Sequence, residues 1–146
     1  MPLPPDAANG YLPIGVHPAT LSEIEARFAV TPDRKEQMRL LAELVGVLAS
    51  FPIVRRILVD GCFIGPRSPT KDVDVVALIV PPDHPDADEE LTGRMRDLRK
   101  AYNPAVELLW FFDGSTKAEL LINLMQEDKP EHGSEPKGIV ELVEFR

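Results

Sequence analysis

Two short apolar runs, Ile53 to Asp60 (IVRRILVD) and Asp74 to Val80 (DVVALIV), constrain this chain more than any other feature. Both are rich in β-branched residues, too short for a core helix, and bounded by Pro52, Gly61 and Pro81, so each reads as a strand. The second is almost continuously apolar, which suits a strand covered on both faces. Such a sheet needs helices against it, and the flanking sequence supplies them. Thr20-Leu21-Ser22-Glu23 has capping-box spacing and opens a short helix to about Phe28. Thr31-Pro32, followed by Met38, Leu41, Val45 and Leu48 on one helical stripe, predicts an amphipathic helix over 32–49 that stops at Ser50-Phe51-Pro52. Leu91, Met95, Leu98 and Tyr102 give a second stripe over 88–102, and Ser115 caps a helix over 116–126. Ala105 to Phe112 (AVELLWFF) is a third strand, and Gly138 to Phe145 (GIVELVEF) alternates like a last, edge strand. The expected fold is therefore α/β (α+β), a mixed sheet of about four strands with flanking helices.

Residues 1–146 form one expected domain, with no repeats and no linker. Pro2, Pro4, Pro5, Pro13 and Pro18 forbid regular helix near the start, so 1–19 reads as an extended arm. A formal net charge of -8 argues against a grip on long duplex nucleic acid, whose affinity comes from Lys and Arg displacing counterions. The single Cys62 excludes an internal disulfide, and no Cys/His spacing suits zinc. The first residues lack the basic start and apolar run of a signal peptide, and no apolar stretch approaches the roughly 20 residues needed to span a bilayer. A cytoplasmic protein is expected.

The segment from Asp60 to Val76 carries the chemistry. A strand ends in the small-residue turn Gly61-Cys62, a loop follows, and the next strand opens with Asp72-Val73-Asp74. Side chains at i and i+2 of a strand share a face, so Asp72 and Asp74 can converge on one point. Two adjacent carboxylates repel unless protonated or bound to a cation, and oxygen-only ligands favour a hard ion such as Mg²⁺. A third acid in an apolar strand, Glu107 in Val106-Glu107-Leu108, would complete a three-carboxylate cup able to hold two metals. The Gly61-Cys62 turn lets backbone N–H groups approach a phosphate, and Arg67 and Lys71 in the loop are candidates for its charge. Blander roles stay open: Asp72 and Asp74 capping a strand edge, Glu107 pointing into solvent, and Arg67 and Lys71 as solvated loop residues.

Gly61-Cys62, the spacer, Asp72-Val73-Asp74-Val75 and the later Val106-Glu107-Leu108 resemble the signature of the polymerase-beta-like nucleotidyltransferases. More narrowly, Asn9-Gly10-Tyr11-Leu12-Pro13-Ile14-Gly15, the Asp60-to-Asp74 segment and Pro136-Lys137-Gly138-Ile139-Val140 resemble a family of small uncharacterised bacterial proteins placed in that superfamily. The resemblance implies a minimal catalytic domain that transfers NMP from an NTP to a hydroxyl and releases pyrophosphate. It implies that Asp72 and Asp74 bind two Mg²⁺ ions, or Mn²⁺, that Glu107 helps bind one and aids deprotonation of the acceptor, and that Gly61 and Cys62 contact the phosphates. Two departures stand out: a thiol replaces the usual serine hydroxyl at Cys62, and Phe63-Ile64-Gly65-Pro66 occupies the place of an Arg-Gly pair found in the antitoxin-like subgroup.

Such a short chain can house the nucleotide half of a transfer site, so the acceptor surface is expected from a protein partner or a second copy. The basic residues of the 88–102 helix leave room for a short acceptor such as an RNA end. The alternative function is a catalytically weak nucleotidyltransferase-like regulatory or antitoxin-type protein that acts by partner binding. A metal-dependent hydrolase or sugar-nucleotide transferase also uses Asp-x-Asp, but gives the Gly61-Cys62 turn no role.

Overall fold

The computed structural model describes residues 3–66, 73–126 and 136–146. Strand β1 (Val16–Ala19) leads into helices α1 (Leu21–Phe28) and α2 (Pro32–Ala49). Strands β2 (Val54–Asp60) and β3 (Val73–Ile79) follow, then α3 (Glu89–Tyr102), β4 (Val106–Phe112), α4 (Thr116–Met125) and β5 (Ile139–Leu142). A 3₁₀ turn, Cys62–Ile64, comes directly after β2.

The helix starts follow from their capping residues. Glu23 N donates to Thr20 Oγ1 at 3.2 Å while Thr20 N donates to Glu23 Oε1 at 3.0 Å, the reciprocal capping box that opens α1. Pro32 stands in the first turn of α2, where its missing N–H costs nothing. Asp88 accepts from Glu90 N at 3.0 Å to open α3, and Ser115 accepts from Ala118 N at 3.1 Å to open α4.

The fold is α+β, with one mixed sheet in the order β1-β5-β2-β3-β4. β1 runs parallel to β5 and β3 parallel to β4, while β2 is antiparallel to both β3 and β5. Ile24 and Phe28 of α1, Met38, Leu41 and Leu48 of α2 and Met95 of α3 pack with Val59, Val75, Ala77 and Leu108 on one face. On the other, Ala118, Ile122 and Met125 of α4 cover Leu58, Val76, Leu78 and Ile139. Both faces of β2 and β3 are thus covered, the physical reason for their near-continuous apolar sequence.

Two expectations change. The sheet has five strands, because Val16–Ala19, expected within an extended arm, pairs with β5. Pro18 is tolerated there because β1 is an edge strand, which needs ladder donors on one side only. Conversely β5, expected at an edge, lies between β1 and β2. Its one charge is Glu141. Glu141 accepts from Arg56 Nη2 at 2.7 Å and Nε at 3.2 Å, and this hydrogen bonding raises the Arg56 guanidinium above its ordinary value. No helix among the described residues is long and apolar enough to cross a membrane.

Candidate functional site

The register of the ladders brings acids together. Asp60 on β2 lies opposite Asp74 on β3, and Asp74 lies opposite Glu107 on β4. Residues directly opposite one another point to the same face, and neighbouring strands lie about 4.8 Å apart. The three carboxylates therefore form a row across three strands, on the face that carries Val76, Leu78 and helix α4. It sits where β2 ends and β3 and β4 begin, so the apolar pattern of the strands is left uninterrupted beyond it. Burial falls along the row. Asp60 is only 5% exposed, Asp74 is half-buried with its Oδ1 shut off from solvent, and Glu107 is exposed on edge strand β4.

The turn after β2 flanks this row. Gly61 has φ 93°, a left-handed conformation that a side chain would strain, and it lets the chain leave the strand sharply. Ile64 N donates to Gly61 O and Gly65 N to Cys62 O, both at 3.1 Å. Buried Arg34, projecting from α2, donates to Phe63 O at 2.8 Å, Gly65 O at 2.7 Å and Phe28 O at 3.3 Å. Most carbonyls of the turn, the groups that would repel an anion, are thereby committed elsewhere. Burial lowers the Arg34 guanidinium from its ordinary value, against the opposing pull of Asp33 and Cys62. Cys62 itself is half-buried. Behind the turn, Tyr11 lies so close to Gly65 that a Cβ there would stand 2.6 Å from Tyr11 Cε1.

At the inner end of the row Lys137 Nζ donates to Asp60 Oδ1 at 2.9 Å, with side-chain exposures of 12% and 7%. Lys137 precedes β5, and its backbone is pinned from two directions. Its own N–H donates to Gln126 O at 2.9 Å, just past α4, while that of Gly138 donates to Leu12 O at 2.8 Å. Asn9 Nδ2 also donates to Pro136 O at 2.8 Å. The Asn9-Gly10-Tyr11-Leu12 segment therefore braces both the turn and the lysine.

Of the residues singled out from sequence, Gly61, Cys62, Asp74 and Glu107 are brought to one end of the sheet. Arg67, Lys71 and Asp72 lie outside the described residues. Sequence reasoning missed Asp60, Lys137 and Arg34. Asp60 had a signal, an acid closing an apolar strand; Lys137 and Arg34 had none, since their roles depend on contacts 77 and 29 to 31 positions away. Among the described residues no three His, Cys, Asp or Glu side chains are grouped so as to hold a metal. Asp74 and Glu107, with Asp72 two positions before Asp74, are the oxygen donors that suit a hard divalent ion.

The chain matches, over residues 4–143, the Family of unknown function (DUF6932), and it belongs to that family. No curated protein and no solved structure matches it.

Proposed function

We propose that this member of the family is a metal-dependent nucleotidyltransferase that moves NMP from an NTP to a hydroxyl acceptor and releases pyrophosphate. The observation that carries the reading is the registered placement of Asp74 opposite Glu107 beside the left-handed turn at Gly61. The resemblance to polymerase-beta-like nucleotidyltransferases assigns those positions to metal and phosphate, and the local chemistry agrees with it. Mg²⁺ or Mn²⁺, held by Asp72, Asp74 and Glu107, would lower the pKa of the acceptor hydroxyl and stabilise the leaving pyrophosphate. In the transfer, the acceptor oxygen forms a bond to the α-phosphorus as the bond to pyrophosphate breaks. Glu107 is exposed on edge strand β4, where an acceptor can reach it, and would take the proton of the attacking hydroxyl. Gly61 and Cys62 bring backbone close to the phosphates, and Arg67 and Lys71 supply further charge. The acceptor surface comes from a protein partner or a second copy.

Incubation with labelled NTPs, Mg²⁺ or Mn²⁺ and cell extract tests this. Wild type transfers label, and the Asp72→Ala/Asp74→Ala double variant does not. Equal absence of labelling in both would sink the enzyme reading.

A second reading, a regulatory protein that acts by binding a partner, is favoured by the outer face of α4, where Leu120 and Leu124 are 58% and 66% exposed. Under it, a co-encoded protein binds wild type and double variant alike, without Mg²⁺-dependent nucleotide affinity.

A further inference from the structure

The ion pair between Lys137 and Asp60 is not explained by stability. Each buried ion costs several kcal/mol of hydration, and a pair of apolar side chains of the same volume would hold the fold equally well. Nor does the transfer chemistry assigned to Asp72, Asp74 and Glu107 use it. Its position is informative: Asp60 immediately precedes Gly61, so the ammonium lies at the end of the carboxylate row that adjoins the turn. Arg56, the other cation near this face of β2, is engaged by Glu141 and Asp113. Lys137 is the described cation that touches the row.

An ammonium carries three donors, and Lys137 gives one of them to Asp60. Its backbone is held by Gln126 and, through its neighbours, by Asn9 and Leu12, so its position does not have to be ordered when a ligand arrives. A fixed, compact ammonium is a point charge of the kind that binds phosphate, and its Asp60 partner is the residue next to the glycine turn.

We infer that Lys137 binds the β- and γ-phosphates of the nucleotide, and that Asp60 is its positioning residue, holding the ammonium at the turn. The inference rests on the nucleotidyltransferase reading of the site. It gives the acidic row a way to admit a polyanion: Lys137 offsets one of the three carboxylates and offers its remaining donors to the tail of the substrate.

The test is calorimetric titration with Mg²⁺ and either a nonhydrolysable NTP or the corresponding NMP, scored as the ratio of the two affinities. Wild type is expected to prefer the NTP. Lys137→Gln loses about tenfold of that preference, the scale of one charge-assisted hydrogen bond, with NMP affinity as the internal reference. Lys137→Arg keeps most of it. Because Lys137→Gln leaves Asp60 buried beside a neutral group, Asp60→Asn/Lys137→Gln is measured as well. It removes both charges of the pair, and its melting curve reports whether it folds. Loss of the preference in the folded double variant supports the inference, and an unchanged NTP-to-NMP ratio there overturns it. A wild type that binds the NTP no better than the NMP would instead overturn the nucleotidyltransferase reading, and the role of Lys137 with it.

Discussion

Arg34 is the side chain on which the shape of the turn after β2 depends, and replacing it with methionine probes that dependence. Methionine keeps a flexible, unbranched apolar stem, shorter than that of arginine, and removes every donor. Two of the lost hydrogen bonds, 2.8 Å to Phe63 O and 2.7 Å to Gly65 O, are short and charge-assisted, and bonds of that kind are each worth about 1.5 to 3 kcal/mol. The third, 3.3 Å to Phe28 O, is weaker, and the guanidinium also lies 5.8 Å from the Phe63 ring centroid. The carbonyls left behind are in a buried part of the molecule, so Arg34→Met should cost about 3 to 5 kcal/mol of unfolding free energy. Lysine should not rescue it, because a single ammonium cannot span the fork of acceptors that the planar guanidinium reaches. Urea denaturation followed by circular dichroism measures the loss, as a fall in midpoint at unchanged slope. A loss below about 1 kcal/mol would refute the claim that Arg34 holds the turn.

Three further outcomes follow from the packing and the titrating groups. A Cβ at position 138 would lie 2.1 Å from Pro13 O, a backbone atom, so Gly138→Ala should cost about 2 kcal/mol or more and melt about 4 to 8 °C lower, by calorimetry. Burial, and then the 2.7 Å hydrogen bond to Glu43, push the Tyr102 phenol up to about 12. Ultraviolet titration of Tyr11→Phe should show that midpoint, and Glu43→Gln should lower it. The Glu23 carboxyl is held below its ordinary value chiefly by the backbone N–H of Thr20. Its contribution is present at neutral pH and is lost as pH falls through the lowered value, so the stability gap between wild type and Glu23→Gln should close in acid below about pH 4.

How far the fold was legible depends on whether its cause was local. The capping box at Thr20 and Glu23, the proline opening α2 and the Ser115 cap act within a few residues, and each helix begins where they stand. β2 and β3 were legible because burial on both faces leaves an apolar run. β1 was not, since Pro13 and Pro18 carry a strong signal against regular structure, and only pairing with β5 reveals why Pro18 is acceptable. The inner position of β5 was hidden with it, because β1 is the strand that covers the outer side of β5. The site divides along the same line. Asp74 and Glu107 were legible as acids in apolar strands, whereas the row they form with Asp60 exists only through ladder register. Lys137 reaches that row by a contact across 77 positions, and no local spacing encodes it.

The central claim is that Asp74 and Glu107 share a divalent ion at a nucleotide site. Electron paramagnetic resonance of Mn²⁺ with a nonhydrolysable NTP tests it most directly, since free Mn²⁺ gives a signal that binding broadens away. Enough nucleotide-free protein and protein-free nucleotide controls fix the background. Wild type should remove more free Mn²⁺ than nucleotide alone, and Asp74→Asn and Glu107→Gln should each abolish the excess. Equal signals for wild type and both variants would contradict the claim.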